Sequence, residues 1–422
     1  MLITKFNKEQ PAIYFLILAM CVSMELYFTW RFPQSLVNFV CAVVILPCLL
    51  KVKVPQQSLW VIFWLIVNFI YNYTHNTVSF SFLSFLNLSS VIIISIFIVL
   101  SSIAFKIKLW HGFDWFMKCI CCISLIGWFL YLAGIPLPHY YSDTTDFYTH
   151  EVYYLFIAGA DNILEELLPR FCGMFLEPGH VGSTCCLLLF INRFNFKDKS
   201  NYIYLLSIIF SLSLAAYGLL FIGLCLHYLL KGVHVLKYIL FLGVLACAFY
   251  IFGLTYNNGD NIFNEKILSR LMFVDGELSG NNRTSMLFDA YYEDWLKHGD
   301  LINGYGKKAY GDGTESTNIL HGCASYKRFF FINGIIGFIL VSILYWSLFY
   351  KYRSNQAWGF LVLYVICNMI RDYPFRLMWL YLFILGSVIL SLPPSAITSA
   401  KDNSPDTCLL YTSDAADEGL GV

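Results

Sequence analysis

The chain has 422 residues, of which 58% are hydrophobic, 18% aromatic and only 13% charged, with a mean hydropathy of +0.64. A soluble globular domain carries about twice that share of charge, so the composition excludes one and predicts a polytopic integral membrane protein. Lys plus Arg and Asp plus Glu both number 27, for a formal net charge of zero, which leaves no basic footprint for nucleic acid.

The N-terminal MLITKFNKEQ is a short basic flank before an apolar run, with no small-residue cleavage site, and leads into an uncleaved first span. A membrane helix needs about 20 mostly apolar residues. Runs of this kind cover 11–29, 34–50, 57–73, 78–105, 113–135, 173–192, 202–215, 217–231, 234–255, 328–350, 356–371 and 376–393. The expected fold class is all-α, a polytopic membrane protein of about 12 transmembrane helices with a large, partly helical periplasmic loop. The pair around SLSLAAYGLL reads either as one long bent helix or as two short ones. Most of the 14 cysteines lie inside such runs as small hydrophobes, and no Cys/His set has zinc spacing.

Lysine and arginine cluster in alternate connections: Lys5/Lys8, Lys51/Lys53, Lys106/Lys108/Lys118, Arg193/Lys197/Lys199, Lys231/Lys237, Lys351/Arg353 and Lys401. The opposite short connections hold Arg31, Arg371 and Arg376, with Arg170 at the end of a medium loop. By the positive-inside rule both termini are cytoplasmic, and residues 136–172 and 256–327 form external loops of a single membrane domain spanning 1–400. In the tail, 401–422, the stretch CLLYTSDAADE at 408–418 resembles a translated sequencing adaptor, and the natural C-terminus is expected before it.

The segment RFCGMFLEPGHVGS, Arg170 to Ser183, is the first that lipid alone does not explain. Glu177-Pro178-Gly179 open a helix, which a bilayer tolerates only where protein or water meets the freed backbone groups. Arg170 and Glu177, with His180 beside them, are therefore candidate site residues facing a cavity. The plainer alternative pairs Glu177 with Arg170 or Lys327 as a loop anchor.

In the large loop, NEKILSRLM and SGNNRTSMLFDAYYEDWLKHG read as amphipathic helices, followed by Gly-rich turns. Arg283, at a helix start, opposes the helix dipole and points to a bound anion; its alternative is an ordinary exposed arginine. Arg270 reads as a further phosphate ligand or as part of a solvated helix face. His321 is a candidate base or phosphate ligand just before the tenth run. Lys327 and Arg328 read as interfacial anchors, and Arg371-Asp372 with Arg376 as a set that neutralises itself.

This layout resembles the O-antigen polymerase and ligase superfamily, bacterial inner-membrane glycosyltransferases of surface-polysaccharide assembly. The similarity runs from Arg170 to Phe338. It rests on Arg170, Gly173 and Glu177-Pro178-Gly179, then Asn282-Arg283 with Trp295, Asn303-Gly304-Tyr305-Gly306, and His321 with Gly334-Ile335-Ile336-Gly337. Two departures stand out: Ala215-Ala216-Tyr217-Gly218 replaces the family's Ser-Arg-x-Gly, and the interval from His321 to Gly334 is longer than the family's.

The resemblance implies a polyprenyl-diphosphate-linked glycan as donor, embedded in membrane lipid, with chain-length regulator and flippase proteins as partners. It implies transfer on the periplasmic face of the inner membrane without a cofactor, and since no Asp-rich metal motif is evident in the sequence, no divalent ion is expected. Arg170, Arg283 and Arg270 then hold the departing diphosphate, and His321 or Glu177 takes the acceptor proton. The long tyrosine-rich first external loop favours a polymerase over a ligase. A lipid-linked glycan flippase or transporter is the competing class, and it more often shows two similar halves; no internal repeat is visible in this chain. A second rival, a membrane acyltransferase using a histidine base, is distinguished by dependence on an acyl donor.

Overall fold

Within lipid only helices and closed barrels satisfy every backbone polar group, and the computed structural model of the protein is mostly helical. The structure describes residues 9–52, 54–77, 81–145, 148–159, 169–232, 235–261, 264, 268, 273–274, 277–278, 286–310 and 325–394. In chain order come α1 (Glu9–Ser23), α2 (Gln34–Leu49), α3 (Gln56–Asn76), α4 (Phe82–Leu100) and α5 (Ile103–Leu132). Strands β1 (Tyr140–Thr145), β2 (Tyr148–Val152) and β3 (Ile157–Gly159) follow, then α6 (Pro178–Ile191), α7 (Tyr202–Phe210), α8 (Leu214–Leu230) and α9 (Val235–Thr255). The large loop contributes β4 (Phe273–Val274), β5 (Glu277–Leu278), α10 (Met286–His298) and α11 (Gly306–Tyr310), and the chain closes with α12 (Tyr326–Lys351), α13 (Asn355–Ile370) and α14 (Leu377–Ser391). The main folded unit is Met1–Ser391; Leu392–Val422 is a separate unit of which only 392–394 are described, so the adaptor-like stretch lies outside the described residues.

A helix overlies every apolar run, yet among the described residues only α4, α5 and α12 are long and apolar enough to cross a membrane. Helices α1, α2, α6, α8, α13 and α14 are apolar but shorter. The shortening has local causes. Helix α6 starts only at Pro178, because Glu177 before it is extended (φ −140°, ψ 150°). The run from 202 to 231 is two helices, parted where Leu212 takes φ 45° and where Ser213 caps α8 by accepting from Ala216 N–H.

Helices α4 and α5 are joined by Ser101 and Ser102 alone, so Lys106, Lys108 and Lys118 stand on α5 itself and not in a connection. At about 1.5 Å per residue the 30 residues of α5 outrun a hydrocarbon core of about 30 Å. Lys118 pairs there with Asp114 (2.8 Å) and with Asp198 (3.5 Å) from the connection after α6.

Two helices form the centre. Residues Gly179–Ile191 of α6 and Leu377–Leu390 of α14 are buried on all sides, as a helix apolar around its whole circumference must be. Helix α14 packs on α1, α4, α5, α6 and α13, and α6 on α7, α8 and α13. The perimeter helices turn large apolar side chains outward, among them Phe39, Val43, Phe63, Trp115, Ile126, Val244 and Ile251. An apolar exterior of this extent is compatible with insertion in a membrane.

The mostly helical chain also carries a short sheet in the connection between α5 and α6. There β1, β2 and β3 form an antiparallel sheet in that order, with Tyr140 opposite Val152 and Glu151 opposite Ala158. Its tyrosines and threonines favour a pleated half-buried surface. Tyr153 stacks on Phe156 (4.8 Å between centroids), and Ser124 Oγ donates to Leu155 O (2.8 Å), docking the sheet on α5.

In the second loop α10 forms as expected and buries Phe288 and Trp295 against Phe331 and Ile332 of α12. Of NEKILSRLM only Asn264 and Leu268 are described. Helix α12 breaks at Gly334 (φ 59°, ψ −167°), where Ile335 and Ile336 N–H donate to Leu301 O and Ile302 O.

Candidate functional site

Three segments distant in sequence meet at the N-terminus of α6: residues 23–34, residues 170–180, and the 371–376 connection between α13 and α14. Glu177 is the N-cap residue of α6, but its side chain makes no cap hydrogen bond. It accepts instead from Arg371 Nη2 at 2.8 Å. The arginine is 4% exposed and the glutamate 45%, so a buried cation is held by a carboxylate at the rim. The Glu-Pro-Gly sequence explains the approach. Proline at the first helical position needs no N–H partner, and a Cβ on Gly179 would collide with the Arg371 guanidinium.

Around this pair a network closes. Tyr373 Oη and buried His180 Nε2 share a hydrogen bond of 2.7 Å, with the rings edge to face, and His180 Nε2 stands 3.8 Å from Glu177 Oε2. Asp372 faces Arg328 Nε at 3.6 Å. Burial pushes the Asp372 carboxyl above the usual aspartate range, opposed by Arg328, Arg376 and Arg371. Arg376 donates to Glu25 Oε1 (2.7 Å) and to Ser23 O (2.9 Å), and its guanidinium lies 5.6 Å from the Tyr373 ring centre. Next to Glu25 lies a hollow of about 220 Å³, lined by Glu25, Thr29, Trp30, Phe32, Gln34 and Leu176. His150 from β2 reaches Leu176 O (3.2 Å) and meets Trp30 edge on.

Several sequence-level readings are thereby revised. Glu177 pairs with Arg371, not with Arg170 or Lys327. Arg371, Asp372 and Arg376 act on one another electrostatically, and each also finds a partner on another segment, Glu177, Arg328 and Glu25 respectively. Lys327 binds Asp289 of α10 at 2.6 Å, and Arg328 faces Asp372 in the connection between α13 and α14, so both have protein partners. Arg170 is half-buried, and its Nε donates to Ser211 O (3.2 Å) at the break between α7 and α8. Tyr217, inside the departure from the family pattern, lies within electrostatic reach of Arg170. Arg270, Arg283 and His321 lie outside the described residues.

The glycine motifs prove to be docking features. A Cβ on Gly334 would strike the backbone of Ile302, Asn303 and Gly304, and Gly304 and Gly306 both take φ 75°. Tyr373 and Glu25 were missed from sequence, and Arg371 and Arg376 were read there only as a set with Asp372. Their signal was a matched number of arginines and glutamates beside the ends of different apolar runs. Among the described residues no group of three or more His, Cys, Asp and Glu side chains is arranged to hold a metal ion. Comparison of the chain with protein-family models, with curated proteins and with solved structures finds no match.

Proposed function

We propose that the protein is a membrane glycosyltransferase that polymerises oligosaccharide repeat units carried on polyprenyl diphosphate, at the outer face of a bacterial inner membrane crossed by about 12 helices. The observation that carries this reading is the charged network of Glu177, Arg371, His180 and Tyr373 at the opened start of α6, beside the hollow lined by Trp30, Phe32, Gln34 and Glu25. Aromatic faces with a few convergent polar groups suit a small organic ligand, and a sugar presents both apolar ring faces and hydroxyls. The network lies on the side that carries few lysines, hence outside by the positive-inside rule. No nucleotide sugar is supplied there, so the donor travels on lipid.

In this mechanism the anomeric C–O bond breaks through an oxocarbenium-like state. The diphosphate leaves with increased negative charge, stabilised by Arg170, Arg283 and Arg270. His321 or Glu177 accepts the proton of the acceptor hydroxyl as the new glycosidic bond forms. The Arg371 pair orients Glu177 and keeps the entrance of α6 open.

The test is reconstitution: purified protein with lipid-linked repeat units, read as a glycan ladder. Wild-type protein should build the ladder in the presence of EDTA. Arg170→Ala and Arg283→Ala should each slow it by about 100-fold, the usual loss for one preorganised charge donor. A full ladder from both variants, or a ladder abolished by EDTA and restored by magnesium, sinks the mechanism. Deletion in the producing cell separates the two family activities. Loss of a polymerase leaves lipid A core capped with single repeat units, whereas loss of a ligase strands long polymer on the carrier.

A further inference from the structure

At the other end of α12 from Arg328, roughly 35 Å of helix away, two lysines meet without a carboxylate. Lys106 Nζ donates to Val99 O (3.3 Å) and to Ser101 O. Lys351 Nζ donates to the same Val99 carbonyl (3.4 Å) and to Ser58 Oγ (2.7 Å). Both ammonium groups face the Tyr352 ring, at 5.8 and 5.6 Å from its centre. Lys106 is 1% exposed, and Lys351 is half-buried at the rim.

Part of this arrangement is helix capping. Val99 and Ser101 present the last carbonyls of α4, the negative end of a dipole equivalent to about half a charge. Both lysine amino groups sit at that one helix end, and among the described residues no acidic group pairs with either lysine. Like charges that share one carbonyl repel each other, and a cluster of this kind is completed by an anion.

The surroundings identify the anion. Trp60, Trp346, Tyr350 and Trp358 stand around this end of the helices, 58%, 52%, 60% and 44% exposed. Amphipathic rings turned outward in this way sit at headgroup depth. Exposed Arg353 lies 5.2 Å from the Tyr350 ring centre and supplies a third cation. Basic pockets between membrane helices on the lysine-rich side suit anionic headgroups. We propose that Lys351, with Lys106 behind it and Arg353 at its edge, is a binding site for the phosphate of an anionic phospholipid in the leaflet at that end of the molecule.

The experiment uses the full chain in neutral detergent and follows thermal unfolding while phosphatidylglycerol, phosphatidylcholine or inorganic phosphate is added. Phosphatidylglycerol alone should raise the midpoint, and Lys351→Gln should weaken its apparent affinity about fivefold, the worth of one surface lysine. Lys351→Arg should retain the effect. If Lys351→Gln does not fold, the exposed change Arg353→Gln carries the comparison, with a weakening in the same direction. Unchanged affinity in the variant, or an equal gain from phosphatidylcholine, overturns the proposal. An equal gain from inorganic phosphate overturns the lipid assignment and makes the site one for a soluble anion.

Discussion

Arg371 and Glu177 form an asymmetric pair, one partner inside the protein and the other at its rim. Removing the rim partner leaves a buried cation, so the two truncations are not equivalent. Glu177→Gln should destabilise more than its exposure suggests, and Arg371→Gln should be partly relieved because Glu177 turns to water. A double-mutant cycle on detergent-solubilised protein should return a coupling of about 1–3 kcal/mol; a coupling near zero removes the pair from the list of what holds the opened end of α6.

Asp372 gives the neighbouring pH prediction. Its folded pKa is raised, chiefly by burial. Its contribution to stability is therefore present below the unfolded value of about 3.9 and is lost as pH rises through the folded value. Asp372→Asn, which mimics the protonated form, should unfold at a higher temperature than wild type at neutral pH. The two midpoints should converge toward pH 4. A variant less stable than wild type at neutral pH reverses the sign and refutes the assignment.

At the scale of elements, the break in α12 ties the segment between α10 and α11 to α12. Gly334 adopts φ 59°, closed to side chains, while Leu301 and Ile302 carbonyls take the N–H groups of Ile335 and Ile336. Tyr71 Oη from α3 donates to Asn333 O (2.8 Å) and holds the same corner. Gly334→Ala should cost about 1–3 kcal/mol from backbone strain, before the added clash with Ile302 and Gly304 is counted. It should also raise proteolytic cleavage between α10 and α12, while Gly243→Ala, in open space on α9, changes neither readout. Cleavage unaltered by Gly334→Ala means that the docking is not what anchors the loop. The helices themselves were legible as runs of apolar residues, since burial of backbone polar groups in such runs leaves the helix as the local solution. Their ends were not, because Glu25, Leu212 and Glu177 stop helices by backbone conformations set through packing. The small sheet at 140–159 was missed for a related reason: short strands are specified by cross-strand partners and not by a run of their own.

For the molecule as a whole, the charged groups divide between the two ends of the helix set. Glutamate–arginine pairs collect where α6 and α14 begin, and lysines with no carboxylate partner among the described residues collect where α4 and α12 end. Sequence alone determined the helical class and the approximate position of each apolar helix, because composition and the order of apolar and polar residues act locally and along the chain. Which carboxylate meets which arginine was decided only by tertiary structure. Glu177 and Arg371 lie 194 positions apart, and Glu25 and Arg376 351 positions apart. The energy of an ion pair depends on distance in space and on burial, neither of which the order of residues along a chain contains.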